Sequence, residues 1–284
     1  MVILETFNVP LFPWPRTITQ AARWLEENRD AKKFLLWVEL FDPHEPWDPP
    51  EKYYNIYRNP NYNGPNIIAP WFHSILAEDF EAEELENITA LYAGEISLVD
   101  HWVGELVKKI KDLGLNEETT VIFTSDHGTM LGERGCVTKH PAINNPLSQF
   151  ITNVPLIILH PDGPRGAVVN DLVWSPDFMP TCCELLGEDP PPTVHGRSFW
   201  GLVSGQETEG REFVISGWRK KKFYYVVDRD WRFVFSDNTR PDELYRIVDD
   251  PEEKRDIASQ HPEVCDIMRE RLERFFQDTE SLNP

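Results

Sequence analysis

Two short apolar runs, each ending abruptly in polar residues, are the clearest pattern along this chain. Residues 34–40 and residues 120–124 are rich in aromatic and β-branched side chains. Such runs predict strands buried on both faces, as in a parallel sheet covered by helices. Residues 154–159 predict a further strand, whereas the prolines that follow Phe41 predict an irregular region as far as about Glu78.

Helical periodicity occupies much of the sequence between these runs. Apolar residues recur every three or four positions over residues 17–28 and over residues 79–113, after which Gly114 can adopt the left-handed conformation that ends a helix. Ser175 and Pro176 open another predicted helix, which ends at Gly187. Strands that alternate with helices predict an α/β layered fold.

The last quarter of the chain has a different pattern. Four short aromatic-rich segments separated by turns predict an antiparallel meander, at residues 213–216, 223–228, 231–235 and 243–248. Residues 262–276 predict a final amphipathic helix. We therefore predict an α/β domain over residues 1–208 and a subdomain of antiparallel strands and a terminal helix over residues 209–284.

Charge and composition narrow the possible partners. The 28 basic and 48 acidic residues give a net charge of −20 that is spread along the chain. Nucleic acids are not expected as partners, because they require Lys and Arg on one face. No apolar run approaches the roughly 18 residues that span a bilayer, so no membrane partner is expected. The absence of a signal-peptide pattern and of a disulfide framework predicts a cytoplasmic location with reduced thiols.

Candidate chemistry lies where the predicted strands end. His44 follows the first run, Asp126 and His127 follow the second, and Lys139 lies in the loop beyond them. Ligands of α/β sheets bind at the carboxyl ends of strands, so we expect these four side chains to converge at one sheet edge. Adjacent Asp and His suit calcium, manganese or zinc more than magnesium, and Lys and His can donate to sulfate or phosphate oxygens.

Each of these residues also has a simpler interpretation. Asp126 is compatible with a helix N-cap and His127 with an ordinary loop residue. A single Lys139 is most often solvated, and His44 could simply pack against Trp47. Only the grouping of all four favours a functional site.

Several segments together resemble the sulfatase family of the alkaline phosphatase superfamily. They are residues 34–50, the helix that carries Tyr92 and Asp100, residues 123–133, the His195-Gly-Arg-Ser motif and residues 244–258. The resemblance covers nearly the whole chain. It implies an alkaline-phosphatase-like sheet flanked by helices, here incomplete, with a small C-terminal subdomain of antiparallel strands and a helix.

The resemblance also implies roles for the four candidate residues. Asp126 and His127 would coordinate a divalent cation, most simply calcium, with manganese or zinc as alternatives. Lys139 would contact the ester oxygens, and His44 would bind the ester and protonate the departing alcohol. The substrate would be a small-molecule or glycan sulfate ester. The Asp-His pairing is also similar to the branch that contains phosphonate and phosphate ester hydrolases, which remain an alternative.

One element of the family pattern is missing from this sequence. Sulfatases attack with a formylglycine made from Cys or Ser in a Cys/Ser-x-Pro-x-Arg motif, and none of Cys136, Cys182, Cys183 and Cys265 is followed by that pattern. We therefore expect the C-terminal portion of a sulfatase, with the nucleophile in a missing N-terminal half and no activity in this chain alone. A non-catalytic module that binds an anion or a partner chain is the alternative from another class.

Overall fold

The structure is a computed structural model that describes residues 14–139, 147–207, 209–218, 223–236 and 241–280. These residues form two compact units. The first contains residues 14–123, 129–139 and 156–161, and the second contains residues 124–128, 147–155 and 162–280 apart from the gaps given above. The predicted division at residue 209 stays a prediction.

Helices and one small sheet make up the first unit. Its helices are α1 (Trp14–Glu27), α2 (Glu51–Tyr54) and α3 (Ala82–Asp112), and strands β1 (Val121–Thr124) and β2 (Leu156–Leu159) pair with each other. The last residue of β1, Thr124, is counted with the second unit. The two long predicted helices are confirmed to within three residues at each end. Gly114 has φ +72° and ends α3 as predicted, because only glycine adopts this conformation without a steric cost.

The strand predicted over residues 34–40 was wrong. No residue between 31 and 40 forms a strand, although Phe34 and Leu36 pack against a cluster around Trp24 and Ile110. A strand needs a neighbour to pair its N–H and C=O groups, and in the described part of this unit β1 and β2 pair with each other instead. Phe34 and Leu36 are only half-buried and Trp37 is 49% exposed, so this apolar run marks partial packing and does not specify a pairing partner.

Strand β1 is less buried than predicted, and β2 is exposed on one face. All four residues of β1 are only half-buried. Burial alternates along β2, where Ile157 is 57% exposed and Leu159 is 40% exposed. The buried core of the first unit lies instead along α3, around Ile88 and Leu91, with Trp47 packed against them.

The second unit contains the predicted meander. Strands β3 (Val214–Trp218), β4 (Phe223–Val227), β5 (Trp231–Ser236) and β6 (Glu243–Arg246) follow one another in an antiparallel sheet, and α4 (Gln149–Thr152), α5 (Phe178–Leu186), α6 (Trp200–Ser204) and α7 (Pro262–Glu280) complete the unit. Met268 and Leu272 of α7 pack onto Val226, Phe233 and Leu244 of the sheet, and all five are buried. The predicted mixed α/β class with a small antiparallel sheet and terminal helix is confirmed.

A buried carboxylate organises the segment before α5. Asp177 Oδ1 accepts a hydrogen bond from the backbone N–H of Arg197 at 2.8 Å, and Asp177 Oδ2 accepts one from Arg211 Nε at 2.9 Å. Gly196 lies so close to this segment that a Cβ at its position would be 2.0 Å from the carbonyl oxygen of Pro176. The glycine is therefore required by backbone packing.

None of the helices that the described residues form combines the length and the apolar character needed to span a membrane.

Candidate active site

Glu45 connects His44 and Lys139 within the first unit. The side chain of Glu45 is only 2% exposed, and its Oε2 accepts a hydrogen bond from Lys139 Nζ at 2.8 Å. The same oxygen lies 3.3 Å from His44 Nδ1. Thr138 Oγ1 donates to the other oxygen, Oε1, at 2.5 Å. One buried carboxylate thus brings together the two side chains that the sequence predicts to bind an ester.

The pKa of Glu45 lies below its usual range although the group is buried. Burial alone would raise this pKa, but the hydrogen bonds from Lys139 and Thr138 and the charge of Lys139 lower it by more. The carboxylate is therefore ionised at neutral pH and balances the charge of Lys139. An ammonium group has three N–H donors, and the Lys139 side chain is 22% exposed. It can therefore donate to an anion as well as to Glu45.

The backbone next to Lys139 is held in an unusual conformation. Thr138 has φ +75°, a region that β-branched residues rarely adopt. Two backbone hydrogen bonds hold this segment: Thr138 N donates to Met130 O at 2.7 Å, and Val137 N donates to Ile75 O at 2.9 Å. Residues held in such conformations by their surroundings are concentrated at functional sites. Here the conformation directs Lys139 toward Glu45.

One ring nitrogen of His44 is fixed by the backbone. Nδ1 lies 2.8 Å from the carbonyl oxygen of Glu45, and because a carbonyl only accepts, Nδ1 carries a proton. The ring of Phe41 stacks on the imidazole with the ring centroids 4.4 Å apart. The side chain of His44 is 39% exposed. Nε2 is therefore the nitrogen that can exchange a proton with a bound molecule, as a general acid requires.

Three carboxyl groups, those of Asp42, Asp48 and Glu95, form a cluster that was not predicted from the sequence. Asp42 and Asp48 lie in the proline-rich loop, and Glu95 extends from α3, where it is 2% exposed and its Oε2 has no hydrogen-bond partner among the described residues. Burial and the nearby charge of Asp42 raise the pKa of Glu95 to about 8. Burial and the nearby charge of Asp48 raise the pKa of Asp42 to about 7. Glu95 therefore holds a proton at neutral pH.

Asp126 and His127 form a short turn in the second unit. His127 N donates to Asp126 Oδ1 at 2.9 Å, and Ser125 Oγ donates to His127 O at 2.8 Å. His127 Nδ1 lies 2.9 Å from the carbonyl oxygen of Gly128 and must donate to it, which leaves a lone pair on Nε2. That nitrogen lies 3.5 Å from Asp126 Oδ2. The Asp126 side chain is 85% exposed and the His127 side chain 37% exposed.

Backbone packing at Gly128 fixes the far end of this turn. Gly128 N donates to Ile151 O in α4 at 2.8 Å. A Cβ at position 128 would lie 2.1 Å from the carbonyl oxygen of Phe150, so that no other residue fits without movement of the backbone. The glycine after the Asp-His pair is thus a packing requirement of the turn.

The Asp126–His127 pair has the donor chemistry of a cation site. Metal-binding histidines usually donate their second ring N–H to a carbonyl or carboxylate, which is the arrangement of His127. A carboxylate oxygen and an imidazole nitrogen suit a divalent cation. Across the ranges that the structure describes, no group of three or more His, Cys, Asp or Glu could hold a metal ion. The residues present therefore fit two positions of a coordination shell.

The structure places the four predicted residues as two pairs. His44 and Lys139 belong to the first unit and meet at Glu45, whereas Asp126 and His127 belong to the second unit. The convergence of all four at one sheet edge stays a prediction. Glu45 was missed because a lone Glu between prolines has no periodic signal, and its partners Thr138 and Lys139 lie more than ninety positions away.

Comparison with known proteins places the chain in a family. A family model described as "Sulfatase" matches residues 15–188. A second model, described as "N-sulphoglucosamine sulphohydrolase, C-terminal", matches residues 148–278. The first of these matches covers more than half of the chain.

Individual relatives agree with these family matches. An arylsulfatase of Clostridium perfringens is 22% identical over 95% of this chain and 59% of its own length. An endo-4-O-sulfatase of Bacteroides thetaiotaomicron is 32% identical over 64% of this chain and 35% of its own length. The chain thus spans between about a third and three fifths of these curated relatives.

A solved structure shows that the fold is shared. It contains a protein in complex with its substrate D-glucosamine-2-N,6-O-disulfate, and it matches with a TM-score of 0.79 and 17% identity over 96% of this chain and 71% of that one. The predicted alkaline-phosphatase-like fold is confirmed. This chain belongs to the sulfatase family.

Proposed function

We propose that this chain contributes to a metal-dependent hydrolase of sulfuric ester bonds, with a sulfated glycan or a small-molecule sulfate ester as its substrate. Sulfatase family membership supports the reaction class. The structural relative solved with a disulfated glucosamine supports a sugar as the esterified alcohol. The observation that carries the proposal is the pairing of two donors for an anion, His44 and Lys139, at one buried carboxylate.

The roles proposed for the four residues are those that the sulfatase resemblance implies, and their chemistry is compatible with them. In the first unit, Lys139 Nζ donates to the ester oxygens, and His44 Nε2 delivers a proton to the departing alcohol. Glu45 holds both side chains in place. In the second unit, Asp126 Oδ2 and His127 Nε2 hold a divalent cation, with calcium as the first candidate and manganese and zinc as alternatives. A cation bound by this pair would supply Lewis-acid chemistry to an oxygen ligand.

The 284 residues do not provide a nucleophile of the sulfatase type, since they contain no Cys/Ser-x-Pro-x-Arg motif. Affinity for hard cations rises with the number of carboxylate ligands, and the Asp126–His127 pair contributes a single carboxylate. We therefore propose weak cation binding, with a dissociation constant on the order of 10⁻³ M, and no turnover by this chain alone.

Calorimetric titration with calcium, manganese and zinc tests the cation site. Asp126→Ala should weaken binding of the preferred cation by at least tenfold, since it removes the only charged ligand. His261→Ala is a matched control, because His261 Nδ1 lies 3.4 Å from Glu263 Oε1 in a similarly exposed pair that has no proposed role. Equal losses in both variants, or no saturable binding by the unmodified chain, would contradict the proposal.

Turnover assays test the catalytic part. The purified chain is incubated with an aryl sulfate and with a phosphonate monoester, each with and without the preferred cation. We expect no hydrolysis of either compound. Cation-dependent release of the aryl alcohol from the sulfate would contradict the predicted inactivity, and faster release from the phosphonate would favour the phosphonate hydrolase alternative. Saturable sulfate binding without turnover, lost in Lys139→Ala, would support anion recognition by the first unit.

A further inference from the structure

Glu253 is a buried charge in the second unit that the proposed chemistry does not use. It lies in the loop after β6, its side chain is fully buried, and its backbone has φ +55°. Its carboxylate pairs with Arg232 of β5, which is 6% exposed. Tyr225 OH donates to Glu253 Oε2 at 3.3 Å. A buried ion pair is costly to assemble and gives only weak evidence of a stabilising role, so a different role merits consideration.

The same carboxylate reaches α4. Glu253 Oε1 accepts a hydrogen bond from the backbone N–H of Gln149, the first residue of that helix, at 3.0 Å. The first N–H groups of a helix have no partner within it and need an acceptor of this kind. With four residues, α4 is too short to be stable by itself. The hydrogen bond to Glu253 and the buried side chain of Ile151 are two contacts that hold this helix in the second unit.

The other end of α4 contacts the Asp126–His127 turn. Ile151 O accepts the hydrogen bond of Gly128 N at 2.8 Å, and the carbonyl oxygen of Phe150 closes the space at Gly128. The Asp126 side chain is 85% exposed, and its contact within the turn is the hydrogen bond that Oδ1 accepts from His127 N. A continuous series of backbone contacts thus leads from the buried Arg232–Glu253 pair through α4 to the two proposed cation ligands.

We propose that Glu253 and Arg232 are positioning residues for the cation-binding turn, which they hold in place through α4. The expected effect on cation affinity rests on the proposed function. The claim that Glu253 and Arg232 hold the turn in place does not depend on cation binding. Outer-shell residues that orient metal ligands typically change metal affinity by about 10–100-fold when they are replaced. Glu253 acts through one short helix and two hydrogen bonds, so the lower end of that range is expected.

The test compares amide hydrogen exchange at Gly128 in the unmodified chain, in Glu253→Gln and in Arg232→Met. Both variants remove the ion pair with little change of volume. We expect at least tenfold faster exchange at Gly128, together with about tenfold weaker calcium binding measured by calorimetry. Leu272→Ala is the control, because it destabilises the core of the same unit and its hydrophobic cluster includes no described residue of α4 or of the turn.

The outcomes separate the two proposals. Faster Gly128 exchange in Glu253→Gln and Arg232→Met than in Leu272→Ala, compared at equal global stability, supports the positioning role. Equal exchange in all three variants would contradict the positioning role. The ion pair would then contribute only to the general stability of the second unit. If the unmodified chain binds no calcium, the proposed cation site fails, and the exchange comparison alone still decides whether Glu253 holds the turn.

Discussion

Oε2 of Glu45 accepts the hydrogen bond of Lys139 Nζ at 2.8 Å inside the first unit, across 94 positions of sequence. The carboxylate side of this pair is almost completely buried, and the ammonium side is partly open to solvent. Such a pair fixes the position of a cationic group while leaving it accessible. That combination is what recognition of an anionic ester requires.

Replacement of Glu45 by Gln should destabilise the protein. The variant leaves Lys139 without its counter-charge and leaves a single acceptor oxygen for the two donors Thr138 and Lys139, and we expect a loss of about 2–3 kcal/mol in the free energy of unfolding. Urea denaturation at neutral pH measures the change.

Glu27→Gln is the control for this prediction. Glu27 pairs with Arg23 at 2.7 Å on the surface of α1, where both side chains are more than half exposed. Surface pairs of this kind contribute little, so a change within about 0.5 kcal/mol is expected. A Glu45→Gln variant as stable as Glu27→Gln would show that the buried pair does not organise the site.

Two glycine-to-alanine substitutions should have opposite effects. Gly128→Ala places a Cβ 2.1 Å from the backbone oxygen of Phe150, and we expect a loss of about 1–3 kcal/mol together with weaker cation binding. Gly104→Ala lies in the exposed interior of α3 with no atom within 4 Å of the new Cβ, and should stabilise by about 0.5–1 kcal/mol. Thermal and urea unfolding of both variants provide the comparison, and a stabilising Gly128→Ala would contradict the tight packing of the turn.

The carboxyl cluster at Glu95 should make stability fall as pH rises. The folded-state pKa values of Asp42 and Glu95, about 7 and about 8, lie above the values of an unfolded chain, so the folded state holds protons that the unfolded state has released. The contribution of these two groups to stability should therefore decrease between about pH 4 and about pH 8.

Glu95→Gln tests this dependence, because a neutral amide needs no proton. The variant should gain stability relative to the unmodified chain at about pH 9, and this gain should shrink toward about pH 5. Urea denaturation across the range measures both curves, and groups that titrate elsewhere cancel in the difference. Parallel curves would contradict the raised pKa of Glu95.

The packing of α7 can be tested with two neighbouring residues. Met268 is fully buried against the sheet, whereas Ile267 is 50% exposed. Met268→Ala should cost about 2–5 kcal/mol in the free energy of unfolding, and Ile267→Ala less than about 1 kcal/mol. Similar losses in urea denaturation would mean that the helix packs in a different register.

Prediction from the sequence succeeded where local signals agree with the final packing. The long α3 ends at a glycine that its own pattern reveals, and the meander strands have turns on both sides. The strand expected at residues 34–40 failed because pairing depends on a distant partner. Glu45 and the Asp42–Glu95 cluster were missed for the same reason, since their effect arises from side chains that meet only after folding.

The tight contact between Gly196 and Pro176 shows that a glycine in a sequence motif of this family can be required by packing alone. The glycine of the His195-Gly-Arg-Ser motif is required by a backbone that leaves no space for a side chain, and Gly128 is required for the same reason. Such positions would persist in a descendant that had lost its chemistry, because their loss would break the architecture first. Sequence motifs that are fixed by backbone packing therefore do not distinguish active enzymes from catalytically inactive relatives. Assignment of catalysis requires the nucleophile itself.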